Sequence, residues 1–311
     1  MTTTLTSVPQ SANTLSQLHS GHNLHETLSA LETQVRKSPT QVGLRWALVE
    51  FLCVLGQWER ALKQLQAAVQ LVSTTDPQGA HWQFKAQLVR GLIRAQAQRT
   101  EVFSGQQQPV PVIDSPQWMQ DLARAIGHNA QGQHAQADEL RRSALDNAPT
   151  RPGVCTLGSK AAEPATSADE ILTEQPYTWL SDTDTRLGPV CELVVAGGYR
   201  WLAYADIASL RIQRPSTMLD LVWLPVTLQL RGTQAAGKTL HAYIPTRYSG
   251  TENIPADSGE AQRHALLLAH LTLWHDVGDT GVFAQGQKTL MTEHGDIPLL
   301  DIRQLQSGEG A

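Results

Sequence analysis

The chain has 311 residues, 41% of them hydrophobic, with 24 Lys and Arg set against 29 Asp and Glu for a formal net charge of -5. That length suits two domains of roughly 100–200 residues each, and an acidic balance without an extended basic cluster argues against nucleic-acid binding. Cys53, Cys155 and Cys191 are too far apart for any Cys-x-x-Cys spacing, which excludes a disulfide framework and a cysteine zinc site and favours a reducing compartment.

Residues 1–22 are rich in Ser, Thr and Gln and hold too little apolar material to offset the entropy of ordering, so a tail is expected there. They have neither the basic start nor the apolar stretch of a signal peptide, and no run of about eighteen apolar residues occurs anywhere. The expected location is the cytoplasm, with no membrane contact.

From Leu24 the apolar period becomes helical. Leu24, Leu28, Leu31 and Val35 recur at three- and four-residue steps until Pro39. A second helix through Leu44, Leu48, Phe51, Leu52 and Leu55 breaks at Gly56, and a third carries Trp58, Ala61, Leu62, Leu65, Ala68 and Val69. Gly56, Trp58, Ala61, Leu65 and Ala68 are echoed at the same spacing by Gly132, His134, Ala137, Arg141 and Ala144. A glycine at the turn, a ring between the helices and small residues at the crossing resemble the tetratricopeptide repeat. His134 and Arg141 stand where an aromatic and an apolar residue are expected. Between the two copies, 81–99 reads as a long helix followed by a Gln- and Pro-rich loop at 104–116, a degenerate or interrupted middle unit.

Periodicity lapses over 150–175, around Pro152, Gly153 and Pro164, the composition of a connector. Beyond Tyr177, short runs at 191–195, 199–204, 221–223 and 226–230 are separated by Gly, Pro, Asp and Ser, as in a β-rich domain, with Gly197-Gly198 suiting a tight hairpin turn. A further helix is expected over 260–274. The organisation is a tail at 1–22, an all-α tetratricopeptide-like domain at 23–150, a linker at 151–175 and a β-rich α+β domain at 176–311.

Candidate chemistry is sparse. Asp182 and Asp184 could ligate a hard cation, but the glycine and the distal acidic residue of an EF-hand loop are missing, and turn aspartates commonly accept backbone hydrogen bonds. His264, His270 and His275 are spaced six and five residues apart, so no pair lies one helical turn apart as a zinc motif requires. No nucleophile elbow, phosphate loop or dinucleotide fingerprint occurs, so no catalytic residue, metal ligand or cofactor is assigned. Trp46, Glu50, Trp82 and Arg90, near repeat starts, are candidates for a groove that receives a partner, although filling the interhelix core is the commoner use of a tryptophan there.

The ordered series Leu55-Gly56-Gln57-Trp58-Glu59-Arg60-Ala61, then Asp182-x-Asp184-x-Arg186-Leu187-Gly188-Pro189-x-x-Glu192, Leu219-Asp220-Leu221-Val222-Trp223-x-Pro225 and Pro245-Thr246-Arg247-Tyr248 resembles the ImpE family, whose type VI secretion members are called TagJ. The resemblance runs from about Leu24 to Arg303. It implies a non-enzymatic adaptor that binds the N-terminal helix of the small sheath subunit, TssB, and is linked indirectly to the unfoldase ClpV. It also marks Asp182, Asp184, Arg186, Gly188, Pro189, Glu192, Trp223, Arg247 and Tyr248 as family positions. A generic helical-repeat scaffold for another cytoplasmic partner, or a metal-dependent regulator built on Asp182 and Asp184, stands as the alternative.

Overall fold

The computed structural model describes residues 23–72, 77–158, 170–232, 238–255 and 259–308. The expected tail, residues 1–22, lies outside them. Among the described residues six helices form the first half: α1 (Leu24–Lys37), α2 (Val42–Val54), α3 (Trp58–Gln70), α4 (Pro77–Phe103), α5 (Gln117–Ala130) and α6 (His134–Asn147). The helical content matches expectation, and the two hairpins are α2–α3 and α5–α6.

Four of the five repeated positions occupy equivalent places, whereas Trp58 is half-buried against Trp223 and His134 is exposed. Gly56 and Gly132 have φ of +70° and +74°, a left-handed turn conformation that a side chain opposes. Ala61 and Ala137 are buried completely, as are Leu65, Arg141 and Ala144, while Ala68 is nearly so. The irregular middle unit is one continuous 27-residue helix, α4, longer than the 81–99 segment anticipated. Residues 110–112 of the loop that follows pair with the second half: Val112 N donates to Trp201 O, Trp201 N donates to Val110 O, and Pro111 bridges Trp201 in parallel.

The second half contains β1 (Gly153–Gly158), β2 (Leu172–Tyr177), β3 (Ser181–Asp182), β4 (Val190–Val195), β5 (Gly198–Ala203), β6 (Ile207–Ile212), β7 (Trp223–Leu230), β8 (Thr239–Pro245), α7 (Glu260–Leu267), β9 (Thr272–Val277), β10 (Gly281–Gly286), β11 (Thr289–Thr292), β12 (Gly295–Pro298) and β13 (Ile302–Ser307). Eight strands make an antiparallel sheet in the order β2-β1-β13-β6-β7-β8-β4-β5, with β10-β9 and β12-β11-β3 as smaller sheets. Ala196 and Gly197, both at positive φ, close the β4–β5 hairpin, one residue before the expected Gly197-Gly198 turn.

Three expectations need correction. The connector at 151–175 carries β1 and the start of β2, because Val154, Cys155 and Thr156 complete the sheet between β2 and β13; residues 159–169 lie outside the described residues. The runs at 221–223 and 226–230 are not two strands: Met218–Leu221 is a 3-10 turn and β7 continues through Pro225. The helix over 260–274 stops at Leu267. Ala269 takes φ +55°, His270 N donates back to Ala265 O, and the chain turns into β9.

The two halves share a core. One apolar cluster runs from Leu24 on α1, through α2 to α6, into Trp201, Trp223, Tyr248 and Ala284, while a second fills the sheet's other side with Cys191, Leu210, Leu224, Ile302 and Leu305. Trp58 at the head of α3 packs on Trp223 with ring centroids 5.5 Å apart. No helix among the described residues is long and apolar enough to cross a membrane.

The two turn glycines differ in surroundings. A Cβ on Gly56 would come within 2.4 Å of the Glu252 Cβ, whereas a Cβ on Gly132 would meet nothing within 4 Å. Gly132→Ala should cost about 1 kcal/mol of backbone strain. Gly56→Ala should cost clearly more, because it also pushes the β half away. Paired urea denaturation curves check the ranking.

Candidate functional site

The family positions converge where the helical half meets the sheet. Glu192 on β4 is fully buried and accepts four hydrogen bonds from three charged or polar side chains. Arg99, near the end of α4, grips it with two bonds, Nε to Oε1 at 2.6 Å and Nη2 to Oε2 at 2.8 Å. Lys288 Nζ donates to Oε2 at 2.8 Å and the Tyr199 hydroxyl to Oε1 at 2.6 Å. Burial alone would raise the Glu192 carboxyl, but Arg99 and Lys288 outweigh it and hold the group well below the usual carboxylate range.

Lys288 also lies 2.6 Å from Asp182 Oδ2. The other oxygen of Asp182 accepts from Asp184 N at 2.9 Å and the Tyr248 hydroxyl at 2.8 Å. Asp184 accepts from Arg186 N at 3.0 Å and Ala284 N at 3.0 Å, and its carboxylate pairs with the Arg186 guanidinium. Oδ1 of Asp182 and both oxygens of Asp184 accept hydrogen bonds from the protein itself, and Oδ2 of Asp182 is ion-paired with Lys288. The two carboxylates act as turn acceptors and ion-pair partners, and this geometry offers no open ligand set to a cation.

Arg186 leads into a stack. Its guanidinium carbon lies 4.9 Å from the Phe103 ring centre and 4.4 Å from that of Phe283; Arg99 covers Phe103 at 5.6 Å and Arg141 covers Phe283 at 5.6 Å. Three arginines and two phenylalanines alternate across α4, the β3–β4 turn, β10 and α6. Arg141, the apparent misfit of the second repeat, is buried because it faces this stack and donates to Asp138 at 2.7 Å and Thr280 at 2.9 Å.

Arg247 ties two helix ends together, with Nη1 donating to Val54 O of α2 at 2.7 Å and to Leu267 O of α7 at 2.5 Å. Terminal carbonyls left unpaired by a helix are natural acceptors for a cation. Burial lowers the pKa of Arg247 to about 10, with Glu252 opposing, which leaves it charged at neutral pH. Gly188 has φ +50° and sits so close to α6 that a Cβ would come within 2.6 Å of Leu145 Cδ2, and Pro189 O accepts from Tyr204 N. Five of the nine family positions, Arg186, Gly188, Glu192, Trp223 and Arg247, meet the helical half directly, and Asp182, Asp184, Pro189 and Tyr248 are bonded within the sheet half behind them. The residues that complete the junction but carry no sequence signal of their own are Arg99, Phe103, Tyr199, Phe283 and Lys288.

The four groove candidates are placed differently. Trp46 and Glu50 are buried, with Trp46 Nε1 donating to Glu50 Oε1 at 2.6 Å. Half-buried Trp82 packs on Trp46 at 5.5 Å under the Lys85 ammonium, and Arg90 is exposed. Trp46 and Glu50 are core residues of the α2–α4 contact, because closing the helices over the indole leaves them no solvent face. A surface cavity of about 500 Å³ opens instead beside α4, between Phe84, Leu88 and Leu92 and the β4–β5 turn and β8 at Ala196 and Tyr243. Phe84 is 70% exposed at its mouth.

These features define a class: a helical-hairpin array joined to an antiparallel sheet by a buried charge network, with an apolar cleft open beside the junction. ImpE protein is the family whose sequence pattern matches residues 174–306. Over 282 residues the chain is 35% identical to the type VI secretion system accessory component TagJ of Pseudomonas aeruginosa, covering 91% of this chain and 86% of that protein. The chain belongs to the ImpE family. Its fold is similar to the crystal structure of a Vibrio parahaemolyticus protein, with a TM-score of 0.75 and 22% identity over 97% of this chain and 98% of that one.

Two outcomes test the site's energetics. Arg99→Ala should destabilise by about 3–5 kcal/mol in urea, since Glu192 would lose its bidentate partner inside the core, while Arg90→Ala at an exposed position should stay within about 0.5 kcal/mol. Burial raises the Glu50 carboxyl from 4.5 to about 7, the Trp46 hydrogen bond and Lys85 opposing only in part. A carboxyl raised by folding contributes most stability below the lower value and loses it as pH rises through the upper one. Glu50→Gln keeps the acceptor for Trp46, so it should match the parent near pH 4 and exceed it by about 3 kcal/mol at pH 8. An equal difference at both pH values would rule out this titration.

Proposed function

We propose that this chain is a cytoplasmic, non-enzymatic accessory component of a type VI secretion system that captures the N-terminal helix of the small sheath subunit, TssB, and thereby couples to ClpV-dependent sheath recycling. The observation that carries the reading is 35% identity to TagJ across nearly the whole chain. The family positions fit an adaptor, because the side chains of Arg186, Glu192, Trp223 and Arg247 are spent on joining the two halves.

A helix docks by laying apolar residues at three- and four-residue steps into a complementary groove. The cleft beside α4 has that character. Phe84, Leu88, Gly91 and Leu92 present one stripe of α4, Val194, Ala196 and Tyr243 form the facing wall, and Arg94 and His241 are the basic residues in the lining. An amphipathic helix with an apolar stripe and an acidic flank matches this surface in shape and charge. The tetratricopeptide-like character of the hairpins accords with such a role, since stacked hairpins leave extended grooves.

The test is fluorescence anisotropy of a labelled peptide spanning the N-terminal segment of TssB, titrated with the full-length protein. Binding at micromolar concentration is expected, with Phe84→Asp weakening it about tenfold or more. No binding at about 100 µM would remove the proposed partner. Unchanged binding by Phe84→Asp would move the site away from this cleft.

A further inference from the structure

Three potential ligands from opposite ends of the sequence meet on the surface. His25 lies in the first turn of α1, and Glu260 and His264 lie one turn apart on α7. One ligand atom from each comes within 4.8 Å of the other two. The His25 and His264 rings are 5.9 Å apart and tilted by 57°, and His264 Nε2 is 3.7 Å from Glu260 Oε1. Asn23, which caps α1 by accepting from His25 N, donates to Glu260 Oε1 at 2.9 Å and so orients the carboxylate.

We propose that His25, Glu260 and His264 form a binding site for a divalent transition cation of the zinc class. Two imidazoles and one carboxylate are a donor set that zinc accepts with a fourth position left to water, whereas magnesium and calcium prefer all-oxygen ligands. Zinc bonds of about 2.0–2.2 Å place tetrahedral ligand atoms roughly 3.3 Å apart. Three side chains that are exposed or half-buried can close from 4.8 Å to that spacing by rotation, without moving either helix. The Asn23 bond supplies the outer hydrogen bond that ligating carboxylates generally have.

The site would pin the first helix of the helical half to α7 of the sheet half. α7 is already held at its other end by Arg247, so the cation would fasten the end nearest α1. This inference does not depend on the sheath-binding reading, and the two experiments fail separately.

The test uses full-length protein stripped with a chelator and titrated by calorimetry with zinc chloride and, in parallel, magnesium chloride. One equivalent of zinc at micromolar affinity is expected, with no heat from magnesium. His25→Ala, Glu260→Gln and His264→Ala should each weaken zinc binding about tenfold or more, with circular dichroism of the metal-free proteins unchanged. Cobalt should give a visible spectrum of nitrogen and oxygen ligation without a thiolate band. Zinc binding absent from the parent, unaltered in the three variants, or accompanied by a thiolate band with cobalt would overturn the proposal.

Discussion

Glu192 is the carboxylate on which the junction depends. A charge removed from water is tolerated only when other charges and hydrogen bonds surround it, and here those partners come from α4, β5 and the chain just before β11. The helical half supplies the guanidinium and the sheet half supplies the carboxylate, so neither half satisfies the group by itself. Buried ion pairs of this kind add little net stability over well-packed apolar residues, but they penalise any arrangement that leaves one partner alone. The pair therefore fixes how α4 sits on the sheet more than how strongly it is held.

Around that pair the same logic repeats at lower cost. The alternation of Arg99, Phe103, Arg186, Phe283 and Arg141 lets flat cations lie on ring faces, which partly replaces the hydration that burial removes. It also draws α6 into the assembly, since Arg141 lies in the second hairpin and Asp138 beside it accepts from Asp279 N and Thr280 N in the β9–β10 turn. The helical hairpins are thus differentiated by the surface they meet. The first carries Leu65 at the repeat position that packs within its own bundle, and the second carries Arg141 at the position that faces the sheet.

Local features were legible in the sequence. Turn glycines at Gly56 and Gly132, the small-residue crossings and the glycine turn before Tyr199 each follow from backbone sterics acting over a few residues. Long-range features were not. The strand at 153–158 is short and ordinary in composition, and it is defined by the neighbours β2 and β13 rather than by its own pattern. The helix over 260–274 ends early because Ala269 adopts a conformation that glycine usually marks. Arg99 reads as the polar end of a helix until Glu192 is placed against it, and Trp46 reads as a groove residue until α4 closes over it. His25, Glu260 and His264 escape any spacing rule because one of the three lies near the other end of the chain.

The strip of chain at 110–112 that lies along β5 has a consequence for assembly. A sheet with two bare margins can add strands at both and grow into a fibre. Here one margin is occupied by the protein's own loop, bonded on both sides of Trp201, and β2 is the outer strand at the opposite margin, with Leu172 exposed. Occupying one margin in this way blocks ladder growth through both margins of a single copy, so edge-to-edge pairing of copies cannot propagate into a fibre.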